Sequence, residues 1–376
     1  MSAYKRTTTS AYYGLRHDYD PRLAGGPGYL VEEARTNLVL RSQEFEVTWG
    51  KTETNVTANL AAAPDGTTTA DQLLETAVNS LHQVFQTGIA ISAASYVWSI
   101  YVKPINGRTI CWLNANDSGG NHRTWFDLTG VGAVLSSDAG NTGSIQAVGN
   151  GFYRIAVVRT AAGSPSTFST GPAEIDNSTD FLGDVTKGLY LWGAQLELGA
   201  FATSYIPTTT ATVTRAADLP ILLATAFPVS LTAGTLACKG ATLGISAGSS
   251  TSSFMYLDDD TLNQRFFLVR NTDGTMLFQL IAFVGNQFVL TSGATVALGA
   301  MAGVAGAWAV NDAAFVLNGD AVKTDATVDL PLALTHLRFG LRSGTGVPPI
   351  NGWLKHGRYF PRRASNAELI TMAAAP

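Results

Sequence analysis

Charge is what this chain has least of. Asp, Glu, Lys and Arg together make up 14% of its 376 residues and sum to a net −4, against a usual charged share of about 25%. No basic stripe is present to follow a nucleic-acid backbone, and no polybasic cluster to hold anionic lipid. Cysteine is almost absent. Cys111 and Cys238 are the only two, which excludes a disulfide framework and a CxxC metal pair and leaves two small apolar residues for burial. No apolar run approaches the roughly 20 residues that cross a bilayer as a helix. The start, Met1-Ser2-Ala3-Tyr4-Lys5-Arg6, lacks the apolar stretch and cleavage site of a signal peptide. Synthesis in a host cytoplasm is the expectation, with any exterior location reached by assembly or lysis.

Catalytic signatures are missing too. The five histidines, His17, His82, His122, His336 and His356, are isolated, without HxxH or HExxH spacing. There is no GxSxG, no P-loop and no dinucleotide fingerprint. A glycosidase would need two carboxylates about 5–10 Å apart across a cleft. Glu32, Glu33, Asp127, Glu197 and Asp312 are available, but none sits in a hydrolase motif, and no nucleophile, base and orienting partner can be named together. The chain is read as a non-enzyme. Heptads are absent as well, so no coiled-coil stalk is expected.

What is present is short alternating strands. Tyr96, Trp98, Ile100 and Val102 share one face at period two, which predicts a strand over 96–103. Further strands are expected over 108–114, 125–128, 151–159 and 189–198, the third of these opened by the Asn150-Gly151 turn. A Thr-rich stretch, 208–218, connects to a second set over 254–257, 265–269, 276–280, 307–311, 314–317 and 353–360, with hairpin turns at Asp273-Gly274 and Asn318-Gly319. Ser365-Asn366-Ala367-Glu368 is a capping-box pattern that opens a short helix through Leu369, Ile370 and Met372. Short strands without intervening amphipathic helices imply an all-β chain of antiparallel sandwiches. Its organisation reads as an extended arm for attachment or assembly over 1–36, rich in Tyr12, Tyr13 and Tyr19, a first sandwich over 37–214 and a second over 215–376.

Five phrases in the first module occur in a characteristic order: Glu32-Glu33-Ala34-Arg35-Thr36-Asn37-Leu38, Asp65-Gly66-Thr67, Trp98-Ser99-Ile100-Tyr101-Val102-Lys103, Gly149-Asn150-Gly151-Phe152-Tyr153-Arg154 and Trp192-Gly193-Ala194-Gln195-Leu196-Glu197, the last followed by Ser204-Tyr205-Ile206-Pro207-Thr208. In these phrases the module resembles the jelly-roll carbohydrate-binding modules of bacteriophage fibre, head-fibre and gene-transfer-agent spike proteins. The second module, through Trp308-Ala309-Val310-Asn311-Asp312, Leu317-Asn318-Gly319 and its Gly357-to-Leu369 ending, resembles laminin-G or concanavalin-A-like sandwiches. The resemblance implies a protein on the exterior of a virion or phage-like particle. It implies contact with other virion proteins through the arm, homo-oligomeric assembly and adsorption to bacterial surface polysaccharide. A purely structural decoration protein without a glycan ligand uses the same fold and is the alternative.

Sugar recognition needs flat aromatic faces plus amide, carboxylate or guanidinium partners for hydroxyls. Trp112, Asn114, Asn116, Asp117, Arg123 and Trp125 supply those groups around one Gly-rich loop and are the candidate glycan site. Trp112 and Trp125 equally suit the core of adjacent strands, and their exposure discriminates the two readings. Trp49 and Trp98 alternate with polar residues or share an apolar face, and are read as core. No cofactor is called for. Asp258 and Asp260, in an acidic triplet, are the candidate calcium ligands.

Overall fold

The computed structural model describes residues 16–18, 28–246, 249–282, 285–342 and 349–374. They form two compact units, each an antiparallel β-sandwich. The first spans Arg35–Arg215; the second takes 216–374 and also the strand Gly28–Val31.

In the first unit two six-stranded sheets face each other. One runs, edge to edge, Ala133–Ser137, Arg123–Asp127, Ile110–Asn116, Ser166–Ala173, Gln83–Ile89 and Gly50–Thr52. The other runs Thr142–Gly149, Phe152–Thr160, Ser95–Ile105, Gly188–Leu198, Ala70–Glu75 and Thr54–Ala61. Alternation decides what lies between them: Trp98, Ile100 and Val102 meet Cys111, Leu113, Phe126 and Phe168 in one buried cluster, joined by Trp49. Trp49 and Trp98 are core, as their patterns predict.

The opening and closing phrases of this unit meet through a buried amide. Asn37 Nδ2 donates to Ala194 O at 3.0 Å and Ile206 O at 2.9 Å. Its Oδ1 accepts from the amides of Val39 and Leu196, both at 3.1 Å. Gly193 has φ +65, and the ladder shifts register between Trp192 and Gln195. That bulge removes backbone groups from the sheet ladder, and Asn37 is placed to satisfy them. Gln195 adds a bond from the Ile206 amide at 2.6 Å. Val213–Arg215 pairs with Arg35–Asn37, so the Thr-rich connector ends inside the fold rather than as a free linker.

In the second unit a seven-stranded sheet carries Arg16–Asp18, Gly28–Val31, Gly352–Phe360, Ala233–Thr242, Ala302–Ala309, Asp312–Leu317 and Lys323–Asp325. A six-stranded sheet carries Ile221–Leu223, His336–Phe339, Thr251–Asp258, Arg265–Asn271, Thr275–Ala282 and Gly285–Thr295. Phe266 and Trp308 stack at 3.8 Å in the core between them. The helix Asn366–Ala373 begins at the expected capping box and sets Leu369 and Ala373 on Ala237, Ala305 and Ala307.

The segment expected as an extended arm is built in where it is described. Tyr29 and Leu30 pair with Leu354 and Trp353, and the Glu32 and Glu33 amides donate to Asp218 and Asn351. Its other aromatic residues, Tyr4, Tyr12, Tyr13 and Tyr19, lie outside the described residues.

Asn37→Ala would strand two carbonyls and two amides in a dry interior. We expect a loss of roughly 3–5 kcal/mol, measured by denaturant unfolding of the first unit; a loss below about 1 kcal/mol would contradict the clamp.

Candidate glycan-binding face

The strand Ile110–Asn116 turns Cys111, Leu113 and Ala115 into the core. Trp112, Asn114 and Asn116 therefore face outward. Register sets Trp125 opposite Trp112, and Arg123 opposite Asn114. Five of the six sequence candidates share this outer face.

Their roles differ from the expectation. Trp112 is 0% exposed and Trp125 4%, packed with Ala173, Leu81 and Ile110 in a small outer cluster. Trp125 Nε1 donates to Ser178 O at 3.1 Å. Neither ring offers a face to a sugar, because this end of the sheet is covered. All seven tryptophans of the chain are buried. Asn114 is also buried and spends its amide on the fold: Nδ2 donates to Asn121 at 2.7 Å and Ser169 at 3.1 Å, and Oδ1 accepts from the His122 amide at 2.9 Å. Asp117 braces the loop, accepting from the amides of Gly119 at 2.7 Å and Ala162 at 3.0 Å. Burial would raise its pKa, but these amides, Arg159 and His122 hold it below the usual carboxylate range. It is a structural anion and not a sugar contact.

Two candidates retain open chemistry. Arg123 lies half-buried with its guanidinium 5.4 Å from the Trp112 ring and its Nε without an acceptor. Asn116 is half-buried, donating to the exposed Asn121 at 3.1 Å.

One residue was missed. Register continues the Arg123–Asn114 row through Ser169, Phe85 and Gly50. A Cβ at Gly50 would sit 2.3 Å from the Phe85 ring, so the ring lies across that glycine, half-buried on the open face and outside every buried cluster. The signal was available: Phe85 alternates with the core residue Val84, and a pleat sends it outward.

The calcium reading fails on charge. Asp258, Asp260 and His336 bring ligand atoms within 4.8 Å of one another. Arg338, however, donates through Nε to Asp258 Oδ2 at 2.8 Å, through Nη2 to Asp258 Oδ1 at 3.2 Å, and to Asp260. A guanidinium already neutralises the oxygens a calcium ion would need, so these residues do not fit the ion.

Three of the five carboxylates considered for catalysis are also engaged. Glu197 accepts from the Thr203 amide at 3.1 Å, Asp127 from the Thr129 hydroxyl at 2.8 Å, and Asp312 pairs with Arg363 at 2.8 Å. A different carboxyl pair, Glu46 and Asp71, stands beside a shallow cleft of about 300 Å³ lined by Glu46, Arg41, Gln43 and Asn59. Asp71 accepts from the amides of Phe45 at 2.8 Å and Asn59 at 3.0 Å. Burial pushes its pKa up to about 7, with Glu46 adding to the rise and the two amides opposing it. Glu46 Oε2 is buried without a donor, a place that a proton on Asp71 suits. No nucleophile accompanies the pair among the described residues.

No protein-family model matches the chain, and no curated protein does. Among solved structures, the CBM40 of the Ruminococcus gnavus IT-sialidase, bound to α2,3-sialyllactose, is similar over 39% of this chain and 84% of its own, at 17% identity and a TM-score of 0.34. A heptameric SAP-like pentraxin from Limulus polyphemus is similar over 39% and 74%, at 18% identity and a TM-score of 0.31. The NanB sialidase from Streptococcus pneumoniae is similar over 40% and 26%, at 14% identity and a TM-score of 0.31.

Trp112→Ala removes a fully buried ring and should cost about 3–5 kcal/mol, read by denaturant unfolding; full stability with lost glycan binding would restore the platform reading. A second expectation concerns pH. Asp71 is raised in the fold, so the native state holds a proton the unfolded chain has lost, and stability declines from about pH 4 to about pH 7. Glu46→Gln should shallow that decline in Tm against pH; an unchanged slope would mean the two carboxyls do not interact.

Proposed function

We propose that this protein is a non-catalytic glycan-binding component on the exterior of a phage or phage-like particle, adsorbing to bacterial surface polysaccharide. The observation that carries the reading is the outward row Phe85–Ser169–Asn114–Arg123. Phe85 supplies an apolar face for sugar C–H groups, while Arg123, Asn116 and Asn121 supply donors and acceptors for hydroxyls. Asn114 and Ser169 act as positioning residues. Adjacent strands are about 4.8 Å apart, so Phe85 and Arg123, three strands apart, suit a site one or two sugar rings long. Contacts of this kind are individually weak and gain strength from copy number, which fits a homo-oligomer displayed on a particle. The virion setting rests on the ordered phrases of the first module, and attachment to other virion proteins is assigned to the N-terminal segment ahead of the Gly28–Val31 strand.

A second reading has its own observation. The edge strand Ala133–Ser137 and its flanks expose Val131 (87%), Val134, Leu135 and Ile175 (63%). Exposed apolar side chains at a sheet edge are suited to packing against another protein chain, as a decoration protein without a glycan ligand would require.

The test is retention of the purified, labelled chain on a panel of bacterial capsular and outer-membrane polysaccharides. Selective retention should fall at least tenfold in Phe85→Ala and in Arg123→Ala with Tm nearly unchanged. Gly50→Ala, which drives a methyl into the Phe85 ring, should act in the same direction. Retention that survives all three variants would place the site elsewhere. No retention at high valency would favour the structural reading.

A further inference from the structure

The outer face of the seven-stranded sheet in the second unit gathers basic side chains. Leu236 and Cys238 of the strand Ala233–Thr242 point into the core, so Ala237 and Lys239 point outward. In Gly352–Phe360, Leu354 faces the core. A Cβ on Gly357 would sit 2.6 Å from the Phe339 ring and 3.2 Å from Met255 Sδ, so that glycine faces inward too. His356 and Arg358, on either side of it, therefore turn outward. Register sets His356 opposite Lys239 and Arg358 opposite Ala237. The ladder shifts between Lys239 and Gly240, which leaves Lys355 as an extra residue in a bulge beside His356.

Directly opposed residues stand about 5 Å apart and diagonal ones about 7–8 Å apart, so Lys239, His356 and Arg358 share one patch. Burial holds His356 below the ordinary histidine range, and the charges of Arg358, Lys239 and Lys355 add to that. No acid acts against them. Lys239, Lys355 and His356 are half-buried, and Arg358 is exposed. Further along the chain, Arg362 is paired with Glu368 and Arg363 with Asp312. The four residues of the patch have no such partner among the described residues. Like charges facing each other across strands are destabilising. In a chain with so few charges, that convergence is not generic surface.

The surroundings supply few competitors for an anion. On the next strand Lys239 is in register with Gly303, and the Arg358 row continues through Ala237 to Ala305. Neither row meets an acid. The end of the helix Asn366–Ala373 lies over Gly303, where a Cβ would sit 2.5 Å from Ala373 O. That carbonyl end is a partial negative charge beside Lys239, yet no hydrogen bond from Lys239 joins it among the described residues. On the opposite flank Asp18 pairs with Gly28, and Tyr29 with Leu354. Asp18 is thus two strands, about 10 Å, from Lys355, and Arg16 and His17 stand on the same strand.

We propose that Lys239, Lys355, His356 and Arg358 form a phosphate-binding site, for a phosphate monoester carried on a sugar. A monoester bears about −1.5 to −2 charges at pH 7 and three acceptor oxygens, which suits cationic groups converging from several positions. A carboxylate, with one charge and two coplanar oxygens, suits a single arginine fork better. The anion assignment rests on these four side chains alone. That a sugar carries the phosphate rests on the glycan-binding reading above.

The experiment titrates the full chain with glucose-6-phosphate, inorganic phosphate, glucuronate and glucose, followed by calorimetry at low ionic strength. Glucose-6-phosphate should bind and glucose should not. Lys239→Gln, Lys355→Gln and Arg358→Gln should each weaken it at least fivefold. Arg358→Lys, which keeps the charge without the fork, should change it less than twofold. Lys323→Gln, which removes an exposed lysine three strands from Lys239, should leave binding unchanged. Each patch substitution relieves repulsion, so Tm should hold or rise and a folding defect would be visible separately. Glucuronate binding as tightly as glucose-6-phosphate would overturn the phosphate assignment. An equal loss in Lys323→Gln, or no binding by any of the anions, would overturn the site. Inorganic phosphate bound without glucose-6-phosphate would overturn the sugar source. If no anion binds while a polysaccharide is still retained through Phe85, this inference falls and the first-unit reading stands. Loss of retention on every polysaccharide, with glucose-6-phosphate still bound, would reverse that outcome.

Discussion

The first sandwich depends on one buried amide. Asn37 spends both donor hydrogens and both acceptor positions inside the protein, and each bond goes to a backbone group that no ladder satisfies. Part of the need arises from the bulge at Gly193, which leaves Gly193 and Ala194 out of regular pairing. A chain that closes a sheet this way must import hydrogen-bonding partners, and it imports them from its own beginning. Residues near 37 and near 195 are thus held together by polar satisfaction rather than by hydrophobic burial alone. Glu197, bonded to the Thr203 amide, and Gln195, bonded to the Ile206 amide, extend the closure along the same segment.

Scarcity of charge gives meaning to the charges that remain. Arg108 and Glu75 form a buried bidentate pair at 2.6 and 2.9 Å, and Glu75 also receives the Asp184 amide. Arg338 neutralises two aspartates of the second unit. One face of each sheet closes the core, and on the first unit part of an outer face stays accessible around Phe85 and Arg123.

Much of the fold was legible because its signals are local. Period-two alternation over 96–103 and 189–198 marked the strands observed over Ser95–Ile105 and Gly188–Leu198. Ser365 and Glu368 marked the helix start because a capping box needs only neighbouring residues. The candidate glycan face was legible in part. Nearness around one Gly-rich loop grouped Trp112, Asn114 and Arg123, yet it carried no sign that the tryptophan end would be roofed. That roof comes from Leu81 and Ser178, tens of residues away. Phe85 was overlooked for the converse reason: in a short apolar run, Val84 and Phe85 look alike until the sheet assigns one to each side.

Composition, alternation and turn chemistry were enough to settle that this chain is all-β, built from antiparallel sandwiches and poor in charge, since strand faces and hairpins are set by residues adjacent in sequence. Which outward residues stay open was decided only in three dimensions. So was the capture of Asp258 and Asp260 by an arginine. Exposure and charge pairing depend on what folds over a position from far along the chain, and no local pattern encodes that.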